Sequence, residues 1–223
     1  MPARPIAVDL GNASVFVDFD GTISTVDVVR HLLKRLGPPE WREVGARFDA
    51  GELSSRECIL DEWEMLPSDE TLLRAVAGEV PLDPGFGPLV AALRDAGAEV
   101  TVVSDGFGFY VQEACRDLGV TVLTNEPDFT TGRLEFPHED RCCACSSCGT
   151  CKQAPIKDAK YRGRTTVLVG DGRSDVKAAM LADVVFAKDD LARWCSREGV
   201  AFVPFERLAD VLAALVPVAE VGT

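Results

Sequence analysis

The chain has 223 residues, 47% of them apolar and 26% charged, enough for one sizeable core or a core with a small accessory lobe. Its formal net charge of −13 argues against nucleic acid and anionic membrane surfaces as main partners, although a local cation or metal would still admit a small phosphate. No apolar run approaches the ~18 residues that span a bilayer, and Met1-Pro2-Ala3-Arg4-Pro5 leads into too few apolar residues for a secretory signal, so cytoplasmic residence is expected.

The first strand signal is Val15-Phe16-Val17. Residues 25–79 then carry no strand pattern but several helical ones. Val29, Leu32, Leu33 and Leu36 share one face; Ser54-Ser55-Arg56-Glu57 is a capping box before Ile59, Leu60, Trp63 and Leu66; Leu72, Leu73 and Val76 form a third stripe. Beyond residue 80 the pattern alternates. Strands are expected at Val100 to Val103, Val120 to Leu123, Thr165 to Val169, Val184 to Ala187 and Val200 to Val203. Helical stripes fall between them, two of them closed by Gly97 and Gly119. Strands that are nearly all apolar are buried on both faces. The chain therefore reads as α/β, a doubly wound parallel sheet formed by residues 1–24 and 80–223, with a small helical cap at residues 25–79 inserted after the first strand. A second insert, at about residues 125–151, holds a hairpin around Thr131-Gly132 and a cysteine-rich run.

Three groups of polar residues stand at the ends of strand signals, where ligands bind in open α/β sheets. Asp18-Phe19-Asp20-Gly21-Thr22 follows the first strand. Carboxylates two residues apart in an extended segment can point the same way; one can attack while the other handles a proton, and Gly21 lets the backbone turn toward a phosphate. Ser104-Asp105-Gly106 ends the strand at Val103 and offers a hydroxyl and amides. Gly170-Asp171-Gly172-Arg173-Ser174-Asp175 follows the strand at Val169, and its hard oxygen ligands suit Mg²⁺. Each segment alone could be an ordinary turn. A fourth element is a lysine. Pro155 suits the first turn of a helix, which puts Lys152 at that helix's N-terminus, where anions are favoured; Lys157 and Lys160 lie further along.

In this order and at these places, the four elements resemble the haloacid dehalogenase-like (HAD) phosphatase superfamily, phosphoserine phosphatase-like subfamily, over nearly the whole chain. The resemblance implies a Rossmann-like core and a hydrolase of small-molecule phosphomonoesters. Asp18 would be the nucleophile and carry an aspartyl-phosphate, and Asp20 the acid and base. Mg²⁺ would be held by Asp18, the Asp20 carbonyl and Asp171, supported by Asp175. Thr22, Ser104 and Lys152 would hold the phosphate. A phosphotransferase using the same intermediate, and a non-catalytic binding protein on this fold, are the competing classes.

Local features are similar to different branches. Phe136-Pro137-His138, Cys151-Lys152 and Phe186-Ala187 resemble the methionine-salvage phosphatases acting on 2-hydroxy-3-keto-5-methylthiopentenyl-1-phosphate. Val103-Ser104-Asp105-Gly106 and Gly170-Asp171-Gly172 are similar to phosphoethanolamine/phosphocholine phosphatases. By the phosphoserine phosphatase pattern, Asp27 would meet a substrate amine, and Glu62 stands where that pattern has an Arg for the substrate carboxylate. Asp27, Glu62 and Asp105 are thus candidate acids facing the leaving group, favouring a neutral or cationic ester over phosphoserine. Cys145, Cys148 and Cys151, with Cys142, Cys143 or His138 nearby, have the residue types of a structural Zn²⁺ site; reduced thiols in a loop are the other reading.

Overall fold

A computed structural model describes residues 6–139 and 147–216. Seven strands form one sheet in the order β4-β3-β2-β1-β5-β6-β7: β1 Ala13–Val17, β2 Glu99–Phe107, β3 Thr121–Asp128, β4 Arg133–Glu135, β5 Thr165–Gly170, β6 Val184–Ala187 and β7 Val203–Pro204. All pairings are parallel except β3 with β4. The fold is the expected doubly wound α/β sheet. The side chains of β1 alternate between two apolar layers, Val15 and Val17 in one and Phe16 in the other. On β5, Val167 and Val169 oppose Leu168 in the same way. An alternation that buries both faces demands helices on both sides.

Ten α-helices are described. The first four, after β1, are α1 Val28–Leu36, α2 Trp41–Asp49, α3 Ser55–Glu64 and α4 Glu70–Ala77. Then come α5 Phe86–Asp95, α6 Gly108–Cys115, α7 Gln153–Tyr161, α8 Val176–Ala179, α9 Asp189–Glu198 and α10 Leu208–Leu215. Helix α3 begins at the expected capping box: Ser54 accepts from the Glu57 amide, and the Glu57 carboxylate accepts from the Ser54 amide. Asp27 caps α1 through the Arg30 amide at 2.9 Å. Helix α2 follows Pro38-Pro39 and buries only Val44 and Gly45, which is why no apolar stripe announces it in the sequence. Val28, Leu32, Leu33, Ile59, Trp63, Leu73 and Val76 share one apolar cluster with the sheet's inner face.

Strands β2 and β3 run further than their apolar runs. Ser104, Asp105 and Gly106 continue β2, with a register irregularity against β3 between Val103 and Phe107. The hairpin falls around Thr131-Gly132, where Gly132 has φ 74°. The last strand is only Val203–Pro204, displaced from the expected Val200 to Val203, because the Val200 amide closes the end of α9 on Cys195. Among the described residues no helix is long and apolar enough to cross a membrane.

Candidate active site

Strand β1 lies between β2 and β5, so the segment after β1 is flanked by the segments after its two neighbours. The Asp18 amide still donates to Val169 of β5 at 2.9 Å. Asp18, Ser104 and Asp171, remote in sequence, thereby meet at one end of the sheet, as at the ligand crevices of open α/β folds.

Asp18 is buried, and its Oδ1 accepts from the Phe19 amide at 2.7 Å and from Lys152 Nζ at 2.8 Å. Lys152 is the residue immediately before α7 and is also buried; its ammonium reaches Asp175 Oδ1 at 2.7 Å and Ser174 Oγ at 2.9 Å. Lys157 and Lys160 are exposed, and Lys160 pairs with Asp183. Asp175 is fully buried, and its Oδ2 accepts the Asp171 and Gly172 amides at 3.2 and 3.1 Å. One oxygen from each of Asp18, Asp171 and Asp175 lies within 4.8 Å of the others. Burial, followed by repulsion from Asp175, pushes the Asp18 carboxyl well up, and the same two causes bring Asp171 up to about 7. Burial alone would lower Lys152, but Asp175, Asp18 and Asp105 outweigh it and raise it.

Asp20 stands on the other side of the Asp18 turn. Its carboxylate accepts from Ser104 Oγ at 3.0 Å, from Tyr110 Oη at 3.0 Å and from the Val28 amide at 3.0 Å. Burial first, then the Asp27 charge, pushes it up to about 7. Thr22 Oγ1 donates to Asp171 Oδ1 at 2.6 Å. Gly21 has φ 81°, and a Cβ there would collide with the Asp171 carboxylate.

A cavity of about 250 Å³ opens over these groups toward helices α1 to α3. Asp18, Asp20 and Asp171 line it, and so do the three candidate leaving-group acids Asp27, Glu62 and Asp105. Thr22, Ser104 and Lys152 are not among the lining residues; they stand behind the carboxylates they touch. Glu62 is buried rather than turned to solvent, and burial followed by the Asp27 charge pushes it up to about 8. Asp105 does not cap α6; its Oδ1 accepts the Thr150 amide at 2.7 Å, tying the second insert to β2. Arg30 and Arg173 also line the cavity. Arg173 lies over the Phe48 ring and donates to the Asp49 carbonyl, joining the loop after β5 to α2. Sequence reading passed over both arginines and Tyr110. Arg173 sits inside the Gly170–Asp175 segment and could have been found there; Tyr110 has no local signal.

Trp63 is a packing residue: its indole donates to the Gly132 carbonyl at 2.8 Å, and its ring meets Phe107 and Phe129. Of the candidate zinc ligands, Cys142 and Cys145, like Cys143, lie outside the described residues. Cys151 is buried, and its amide donates to the His138 carbonyl at 3.0 Å; Cys148 Sγ lies 3.6 Å from Lys177 Nζ. Among the described residues the one group of three metal-capable side chains is Asp18, Asp171 and Asp175.

An acidic turn after the central strand, with a serine, a lysine and further acids beside it on a doubly wound sheet, is the arrangement of a HAD-type hydrolase. The profile of the haloacid dehalogenase-like hydrolases matches residues 15–180, and the chain belongs to that family. It is 29% identical over 214 residues, 93% of its own length and 97% of the relative's, to the 2-hydroxy-3-keto-5-methylthiopentenyl-1-phosphate phosphatase of Bacillus thuringiensis (strain Al Hakam). It is 30% identical over 205 residues, 89% of its length and 94% of the relative's, to the protein of the same name from Exiguobacterium sibiricum. The phosphoserine phosphatase of T. onnurineus shares the fold, with a TM-score of 0.69 at 20% identity, over 93% of this chain and 96% of that one. The chain is accordingly a hydrolase acting on phosphomonoesters.

Proposed function

We propose that the chain hydrolyses a small-molecule phosphomonoester by transfer of the phosphoryl group to Asp18 and then to water. The observation that carries this reading is the buried Asp18–Lys152–Asp175 chain beneath a cavity that Asp20 also lines. Asp18 Oδ1 is occupied by two donors, so Oδ2 is the oxygen assigned to attack phosphorus. As the P–O bond to the leaving group breaks, Asp20 gives its proton to the departing oxygen. It then takes a proton from the water that cleaves the aspartyl-phosphate. A carboxyl pushed up to about 7 suits both tasks near neutrality. Lys152, and Ser104 and Thr22 once turned from the carboxylates they now meet, are assigned to the phosphate oxygens.

Two buried carboxylates on one ammonium, with the part-buried Asp171 beside them, are under-compensated, and an all-oxygen donor set fits a hard divalent cation such as Mg²⁺. Asp18, the Asp20 carbonyl and Asp171 would hold it, with Asp175 behind them. The ion would supply charge neutralisation for a dianionic phosphate in a site already rich in acids.

We assign helices α1–α4 to a cap that supplies the leaving-group side of the cavity. Glu62 and Asp27 on that side disfavour the carboxylate of a leaving group such as serine. They suit a neutral keto-alcohol, the class named for the curated relatives, or a cationic amine. The test is a kinetic panel of phosphate esters with wild type and Asp18→Asn. Turnover that needs Asp18 and ranks neutral or cationic esters above phosphoserine is the expected result. Wild-type-like turnover by Asp18→Asn would overturn the mechanism, and phosphoserine as the best ester would overturn the assignment of the cap acids.

A further inference from the structure

We propose that Tyr110, on α6, is a positioning residue that holds Asp20 in the orientation from which it delivers its proton to the leaving group; this rests on the phosphatase reading above. Tyr110 Oη lies 3.1 Å from Asp20 Oδ1 and 3.0 Å from Oδ2. Ser104 Oγ takes Oδ2 and the Val28 amide takes Oδ1. The phenol is the one group of the three that bridges both oxygens, and so it governs rotation of the carboxylate about its Cβ–Cγ bond. Tyr110 is buried and does not line the cavity. It therefore acts through Asp20 rather than on the substrate.

Two further features keep the phenol in that place. Its ring is held edge-on by Phe109 at 5.2 Å and by Phe107 at 6.3 Å, and meets Phe19, between the two catalytic aspartates, at 5.5 Å. The missing side chain at Gly106 then leaves the passage: a Cβ there would collide with both Tyr110 Oη and Asp20 Oδ2. A residue with no Cβ, a tyrosine four positions later on the helix and a ring of aromatics thus converge on one carboxylate. Proton delivery by an oriented side chain is worth roughly 10²–10⁴ in rate. With Ser104 turned to the phosphate, the phenol and the Val28 amide are the donors left to orient Asp20, and loss of the phenol therefore removes part of that factor.

Tyr110→Phe keeps the ring and its aromatic contacts and deletes only the hydroxyl. The measurement is kcat/KM, which reports the first phosphoryl transfer, for an alkyl phosphate and for p-nitrophenyl phosphate, whose leaving phenolate needs no proton. The expected result is a fall of about 10-fold or more on the alkyl ester and less than about twofold on the aryl ester, as suits partial loss of general acid catalysis. In an Asp20→Asn background the same substitution is expected to have no further effect, because a coupled pair is not additive. An equal fall on both esters, no fall on either, or an additive fall in the Asp20→Asn background would overturn the proposal. The phosphatase reading fails separately, through a fully active Asp18→Asn protein.

Discussion

Lys152→Met tests whether the site is organised by buried charge. Methionine keeps most of the side-chain volume and removes the ammonium. Lys152 and Asp18 are each 5% exposed and Asp175 0%, and Lys152 Nζ stands 2.8 and 2.7 Å from their oxygens. At an effective dielectric of ~20, each such contact is worth about 6 kcal/mol of attraction. Much of that is offset by the lysine's own desolvation, which the variant no longer bears. The remaining loss is that of breaking a buried pair from one side, about 3–5 kcal/mol. For a chain of this length that is a fall in Tm of about 10–15 °C. The assay is thermal unfolding in EDTA at pH 8 and pH 5. Asp18 and Asp171 have raised native pKa values, Asp171 up to about 7, and removing the ammonium raises them further. A group raised in the folded state contributes stability below its unfolded pKa and loses it as pH rises through the folded value. The deficit is therefore expected in full at pH 8 and largely relieved at pH 5. A Tm within 2 °C of wild type at pH 8, against the ~10–15 °C expected, would refute the reasoning. A deficit unchanged by pH would assign the loss to packing rather than to charge.

Removal of divalent metal with EDTA is expected to abolish turnover and Mg²⁺ to restore it; Mg²⁺ should also raise the Tm of wild type but not of Asp171→Ala, and full activity in metal-free buffer would contradict the assignment. Gly21→Ala forces a side chain onto a φ of 81° and against the Asp171 carboxylate; a loss of about 1–3 kcal/mol with weakened Mg²⁺ binding is expected, and a neutral result by denaturant titration would show that the turn yields. Glu62, pushed up to about 8, is neutral below that value and anionic above it, so the preference for a permanently cationic ester over a neutral one should rise between pH 7 and pH 9. Glu62→Gln should flatten that rise, and a rise that persists would remove Glu62 from specificity.

Much of this protein is local enough to be written in its sequence. Apolar runs such as Val15-Phe16-Val17 and Val167 to Val169 read as strands buried on both faces, and in the fold they feed the apolar layers on both sides of the sheet. The capping box at Ser54–Glu57 and the placing of Lys152 before a helix by Pro155 depend on neighbours within one turn, and both stand as read. Acids and a serine at strand ends likewise marked Asp18, Asp20, Ser104, Asp171 and Asp175 as site candidates. Contacts across the fold were not legible. Helix α2 buries too little apolar surface to leave a stripe. Tyr110 reaches Asp20 across 90 positions of sequence, and Arg173 meets Phe48 and Asp49 across the cavity. Whether Glu62 faced solvent or the site was likewise open until α3 was seated on the core, where it is buried beside Asp27. Local propensity sets the elements and their ends, but which polar groups share a cavity depends on strand order and helix docking. Those are decided by burial over the whole chain, and they put β1 between β2 and β5.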